Sequence, residues 1–235
     1  MKFWQSLAYS EPDQLIGIAR ICDELGFDGA FVSDHMFYPK DFEKKYPYSE
    51  DGDPGFTAET PWPDSWVSIA SMAAVTTKLR FTTFIYLLGL RNPIEVAKST
   101  STLGLMTDNR FALGVGAGWM REEFEAMGVE FKTRGKRLDE SIEVLHKLWS
   151  GELVEHHGDH FNFDPLLICP VPQKRVPVWV GESVVLPCAV PQALATAGSA
   201  LGKPRTKRWR YSANFGRIAE STGAKTNPSK RSCRS

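Results

Sequence analysis

Two places in this 235-residue chain bring together side chains that could do chemistry. The first is Ser33-Asp34-His35, where the apolar run Gly29-Ala30-Phe31-Val32 gives way to a polar loop. A histidine exchanges protons near neutral pH, and an adjacent carboxylate could influence its protonation or orientation. A capping aspartate beside a solvent-exposed histidine fits the same spacing, and spacing alone leaves both readings open. The second is Gly114-Val-Gly116-Ala117-Gly118-Trp119, which follows another apolar run. A dinucleotide fingerprint wants its third glycine one position later, where Trp119 stands, and belongs near the first strand. Glycines at a strand end also let a flat ligand approach the backbone. Close approach to a planar ring is therefore preferred over a pyrophosphate cradle. A third cluster, His156, His157 and His160 with Asp159, has no matching ligand set elsewhere. It reads as exposed turn polarity, and no metal site is expected.

These residues need elements to hold them. Leu15, Ile18, Ala19, Cys22 and Leu25 fall on one helical face, closed by Gly26. Gly29 to Val32 reads as a buried strand. The polar and aromatic stretch Met36 to Trp62 is too long for an ordinary connection and is a candidate lid, with Trp62 at its end placed to touch substrate. Asp64 can cap a helix reaching Ala74, Leu79 to Leu88 reads as a third strand, and Pro93 opens a helix through Met106. Arg110 to Val115 is a fourth strand. Arg134 to Trp149 is a periodic helix with Leu138, Ile142, Leu145 and Leu148 facing inward. Leu153 to Phe163 forms a hairpin, and Pro177 to Val180 another buried strand. Alternating strands and helices predict a parallel sheet with helices outside, either a closed barrel or an open doubly wound sheet. In both, ligands bind at the strands' carboxyl ends, where Asp34 and His35 fall.

At 42% hydrophobic the chain can bury one large core. No stretch approaches 20 uninterrupted apolar residues, and Phe3-Trp4-Gln5 begins a strand rather than a leader, so no membrane contact is expected and the protein reads as cytoplasmic. Cys22, Cys169, Cys188 and Cys233 are widely spaced and read as reduced thiols.

Several segments in order resemble the luciferase-like monooxygenase superfamily, in its branch of coenzyme F420-dependent oxidoreductases. They are Phe31-Val-Ser-Asp-His35, Pro61-Trp-Pro-Asp64, Leu90-Arg-Asn92-Pro93, Arg110-Phe-Ala-Leu-Gly-Val-Gly-Ala-Gly-Trp-Met-Arg-Glu-Glu-Phe124, Arg134-Gly-Lys-Arg-Leu-Asp-Glu140 and Pro177-Val-Trp-Val-Gly181. Ser-Asp-His at 33–35 is closer to the deazaflavin branch than to the flavin luciferases. The resemblance covers residues 1–181 and implies a (β/α)8 TIM barrel with the cofactor at the strands' carboxyl face. It implies a non-proline cis peptide near Thr83–Phe84 and a bulge over Thr83, Phe84 and Ile85. It places His35 nearest the reacting carbon with Asp34 orienting it, and Ser33, Asn92, Gly116, Ala117, Gly118 and Trp119 around the cofactor. Members acting on glucose 6-phosphate carry a catalytic glutamate in the glycine-rich loop, where this chain has Ala117, which argues against sugar-phosphate oxidation. The implied activity is hydride transfer between F420 and a small organic substrate, in a family of homodimers. The alternative is an FMN-dependent monooxygenase.

The tail breaks the pattern. Residues 183–235 hold ten of the 28 basic side chains and one of the 28 acids, so a formal net charge of zero conceals an acidic body and a basic tail. A basic nucleic-acid arm would need ordered clusters with aromatics, and only Trp209, Tyr211 and Phe215 offer any. Leu186 to Gly198 can instead be encoded so that a frame two bases later reads Ala-Leu-Arg-Arg-Ala-Ala-Ser-Leu-Gly-Asp-Gly-Trp, the text expected of the family there. A frame shift near Glu182–Val184 is thus expected, leaving a C-terminally incomplete barrel (1–181) and an aberrant, disordered tail (182–235). On that reading roughly the last three strands and the usual phosphate site are absent, and cofactor binding is weak or lost. A truncated, non-enzymatic gene product is the remaining alternative.

Overall fold

Five of the apolar runs become parallel strands of one sheet in the computed structural model, which describes residues 2–41 and 46–181. Strand β1 is Trp4–Ser6, β2 Gly29–Val32, β3 Arg80–Thr83 and β4 Phe111–Gly116. Strands β5 (Val154–His157) and β6 (Asn162–Leu166) form a separate antiparallel hairpin, and β7 is Val178–Gly181. The main sheet runs β1-β2-β3-β4-β7. Between its strands lie α1 (Leu15–Glu24), α2 (Ser65–Ala73), α3 (Pro93–Met106), α4 (Arg121–Ala126) and α5 (Arg134–Leu148).

Register separates the sheet's two faces. Ala30 lies beside Phe81, Phe81 beside Phe111, and Leu113 beside Val178. These side chains join the main apolar core with Ala19, Ile69, Met72, Val96, Val144 and Leu145 from the helices. The alternate residues Trp4, Phe31 and Trp179 point the other way, since strand side chains alternate across a sheet. The rings of Trp4 and Trp179 meet edge to face at 5.8 Å, joining the first strand to the last and curling the sheet into part of a barrel wall. Gly29 makes room for this, because a Cβ there would collide with the Trp4 indole.

Local chemistry accounts for the helix ends. The Asp64 carboxylate accepts from the amides of Trp66 and Val67 at 2.9 Å each, capping α2. The Asn92 side chain accepts from Ile94 N, with Pro93 in the first turn of α3. Gly26 follows α1 at φ 77°, a left-handed conformation in which a Cβ is strained.

The structure departs from expectation in three places. Regular pairing in β3 stops at Thr83, and the chain then turns through a cis peptide at Phe84–Ile85, one bond later than expected. A single 3-10 turn, Leu88–Leu90, replaces the end of the expected strand. His156 is buried, because it sits on the face of β5 that covers α5, so turn polarity does not describe it. Cys22 is a free, buried thiol. Cys188 and Cys233 lie outside the described residues, as does every expectation placed on residues 182–235. Among the described residues no group of His, Cys, Asp and Glu could hold a metal ion, and no helix is long and apolar enough to cross a membrane.

Candidate active site

Strand β2 delivers Ser33, Asp34 and His35 to the sheet's carboxyl edge, and each side chain takes a different partner. Ser33 Oγ donates to the carbonyl of Phe84 at 3.0 Å, tying the end of β2 to the cis-peptide bulge. Asp34 Oδ2 accepts from the amide of Leu87 and Oδ1 from Arg91 Nη2, both at 2.8 Å. Both of these partners are residues other than His35. Burial pushes the Asp34 carboxyl above the ordinary value, while Arg91 and the Leu87 amide pull the other way. Arg91 lies 4.1 Å over the Tyr86 ring and donates to the carbonyl of Leu87. The Tyr86 hydroxyl accepts from Trp66 Nε1 at 3.0 Å, and burial moves this phenol well above its ordinary value.

His35 finds its partner in α4. Its Nδ1 lies 3.1 Å from Glu123 Oε1, and that same oxygen accepts from the amide of Met36 at 2.6 Å. Glu123 is 1% exposed, and its Oε2 is buried with no hydrogen-bond partner. Three aromatic rings surround the imidazole, with centroids at 4.7 Å for Trp62, 5.1 Å for Phe56 and 5.9 Å for Trp119. Trp62 Nε1 is a second buried polar atom without a partner. The described part of the Met36 to Trp62 stretch thus folds over His35 through Phe56 and Trp62.

The bulge rests on glycines. Thr83 is fully buried, its hydroxyl donating to the carbonyl of Gly114 at 2.7 Å and accepting from the Gly114 amide at 3.0 Å. A Cβ on Gly116 would come within 2.9 Å of Ile85 Cδ1, and one on Gly181 within 2.9 Å of Ile85 Cγ2. Gly118 adopts φ 81° against Leu87 and Phe124. The room these glycines leave is therefore filled by protein side chains that seat Ile85 and Leu87. Ala117 packs against the main core, and Asn92 is engaged as the α3 cap. Phe84 is 44% exposed, with its ring against Phe31 at 5.5 Å.

Of the expected residues, Ser33 lies against Phe84 and Trp119 beside His35. Glu123, Arg91 and Phe56 were not assigned roles from the sequence. The only trace of Glu123 was its place in the Arg121-Glu-Glu-Phe124 segment.

A sequence model of the luciferase-like monooxygenase family matches residues 2–223. The chain belongs to this family. An uncharacterised protein of Mycobacterium tuberculosis is 35% identical over 77% of this chain and 63% of its own length. An F420-dependent glucose-6-phosphate dehydrogenase of Nakamurella multipartita is 32% identical over 73% of this chain and 47% of its own. Among solved structures, an F420-dependent secondary alcohol dehydrogenase in complex with an F420–acetone adduct superposes with TM-score 0.63 at 25% identity, covering 77% of this chain and 52% of that one. A monooxygenase from Streptomyces bottropensis gives TM-score 0.64 at 24% identity over 77% of this chain and 53% of that one, and shares the fold. The fold is α/β, of the TIM-barrel type found in this family. The chain spans less than two thirds of the length of the curated relatives it matches.

Proposed function

We propose that this luciferase-like chain is an oxidoreductase that moves a hydride between a small organic substrate and coenzyme F420, with His35 exchanging the accompanying proton. The observation carrying this is a sheltered imidazole, 11% exposed, at the strands' carboxyl edge and bonded to a buried carboxylate. Such a group can pass a proton without competition from bulk water. The F420-dependent enzymes among the curated relatives support F420 as the cofactor.

The residues present suit a flat heteroaromatic ring. Phe84 offers an exposed apolar surface beside the bulge, and Trp62 Nε1 and Glu123 Oε2 are buried polar atoms without partners. Ser33, Phe84, Ile85 and Trp119 would hold the ring. When bound, the deazaflavin supplies a carbon that accepts or returns a hydride. His35 holds or releases the proton, the aromatic side chains of Phe56, Trp62 and Trp119 exclude water, and the ion pair of Asp34 with Arg91 fixes the backbone that carries His35.

The test is titration of the purified full chain with oxidised F420 and, separately, with FMN, followed by absorbance and tryptophan quenching. Binding of F420 and its reduction by small alcohols support the reading, with His35→Ala lowering turnover about 10²-fold or more. Binding of FMN alone moves the chain to the monooxygenases, and binding of neither ring overturns the enzyme reading.

A further inference from the structure

Resting on that reading, we infer that Glu123 is the positioning residue for His35, holding the imidazole as its Nδ1–H tautomer so that Nε2 is the nitrogen that exchanges protons. The hydrogen-bond arithmetic at Glu123 Oε1 leads there. This oxygen accepts from Met36 N–H, so it acts as an acceptor, and Nδ1 at 3.1 Å must bring the proton to the contact. A neutral imidazole carries one N–H, and with that proton on Nδ1 the lone pair is on Nε2. When Nε2 takes a proton, the imidazolium keeps its Nδ1–H on Glu123, and the carboxylate offsets the new positive charge where little water can reach.

Neighbouring groups enforce the arrangement. Asp34 is turned elsewhere, its two oxygens bonded to Leu87 N and Arg91. Glu123 cannot swing into solvent, being 1% exposed and followed by the fully buried Phe124, which packs with Leu87 and Leu90. Among the described residues its Oε2 has no hydrogen-bond partner, so the two bonds at Oε1 anchor the carboxylate. The rings of Trp62, Phe56 and Trp119 restrict how far the imidazole can turn.

The experiment is ¹⁵N NMR of the histidine-labelled full chain without cofactor, with the His35 signals assigned by their loss in His35→Gln. The expected result is a protonated Nδ1 and an unprotonated Nε2 in the neutral ring, opposite to the tautomer favoured by free histidine. In Glu123→Leu, which removes the acceptor, the Nδ1–H population falls and F420-linked turnover drops at least tenfold with KM little changed, while Glu123→Asp keeps part of both. A wild-type His35 protonated on Nε2 overturns the inference, and so does a folded Glu123→Leu protein with unchanged tautomer. Should that variant not fold, the wild-type tautomer decides. The expected tautomer in a chain that binds neither F420 nor FMN leaves this inference standing and removes the proposed activity.

Discussion

Asp34 and Arg91 meet at 2.8 Å in a nearly water-free pocket, one residue before His35 and facing away from it. The pair clamps the end of β2 to the turn after β3, since Arg91 also donates to Leu87 O while Leu87 N donates to Asp34. Removing one partner of a buried pair leaves the other charge uncompensated, at a cost of about 3–5 kcal/mol. Arg91→Met should lower the unfolding free energy measured in urea by that amount. A variant as stable as the wild type would show that the pair contributes nothing.

Two glycines should respond in opposite directions. A Cβ on Gly114 would overlap the carbonyl oxygen of Thr83, and backbone there cannot step aside. Gly114→Ala should therefore destabilise by about 3 kcal/mol or more. Gly17, on the exposed side of α1, has no atom within 4 Å of its would-be Cβ. Gly17→Ala should stabilise by about 0.5–1 kcal/mol through helix propensity and a less free unfolded chain. Thermal unfolding of both variants checks the pair.

Acid should loosen the joint between α1 and β3. Burial alone would raise the Asp23 carboxyl, but hydrogen bonds from the amides of Thr77, Lys78 and Leu79 hold it below its ordinary value. A carboxyl depressed by folding lends stability that is complete above the unfolded value, about 3.9, and is lost as pH falls through the folded one. Asp23→Asn should flatten stability against pH in this range. Urea midpoints measured from neutral pH down to the acid transition test it, and an unchanged slope would count against the assignment.

The hairpin should be held by Glu140. Its carboxylate accepts from the amides of His160 and Phe161 at 3.1 and 2.8 Å and lies 3.2 Å from His156 Nε2. With Glu140→Ala, hydrogen exchange should speed up at His160 and Phe161 well before it does in β2 or β4. Equal protection in variant and wild type would leave the hairpin's own pairing as its anchor.

The reading-frame argument predicts that DNA sequenced across codons 178–200 contains a single-base change that restores Gly-Gly and Gly-Asp-Gly-Trp. An intact frame shared by related genes would dispose of it.

What the sequence disclosed followed from periodicity. Apolar runs found β2, β4 and β7, and spacing with capping side chains found α1, α2, α3 and α5, because burial demands those patterns whatever the tertiary partners. Helix α4 was hidden. It has six residues, and Phe124 is its only large apolar group, so nothing local singled out Glu123. Its burial depends on β2 arriving from 88 positions away in the chain, which no local signal carries. Adjacency misled in the same way at Asp34. Neighbouring residues at a strand end point in different directions, so Asp34 was poorly placed to meet His35. His156 was hidden among exposed companions, since strand alternation buries one histidine and leaves His157 in water.

The contact of Trp4 with Trp179 sets an order of events during synthesis. At roughly 5–20 residues per second, Trp179 leaves the ribosome about 10–35 s after Trp4. Until then the ring that packs against the Trp4 indole in the folded protein has not been made. The newborn chain therefore spends much of its synthesis with an aromatic edge open to any neighbour, and the last described strand ends that exposure.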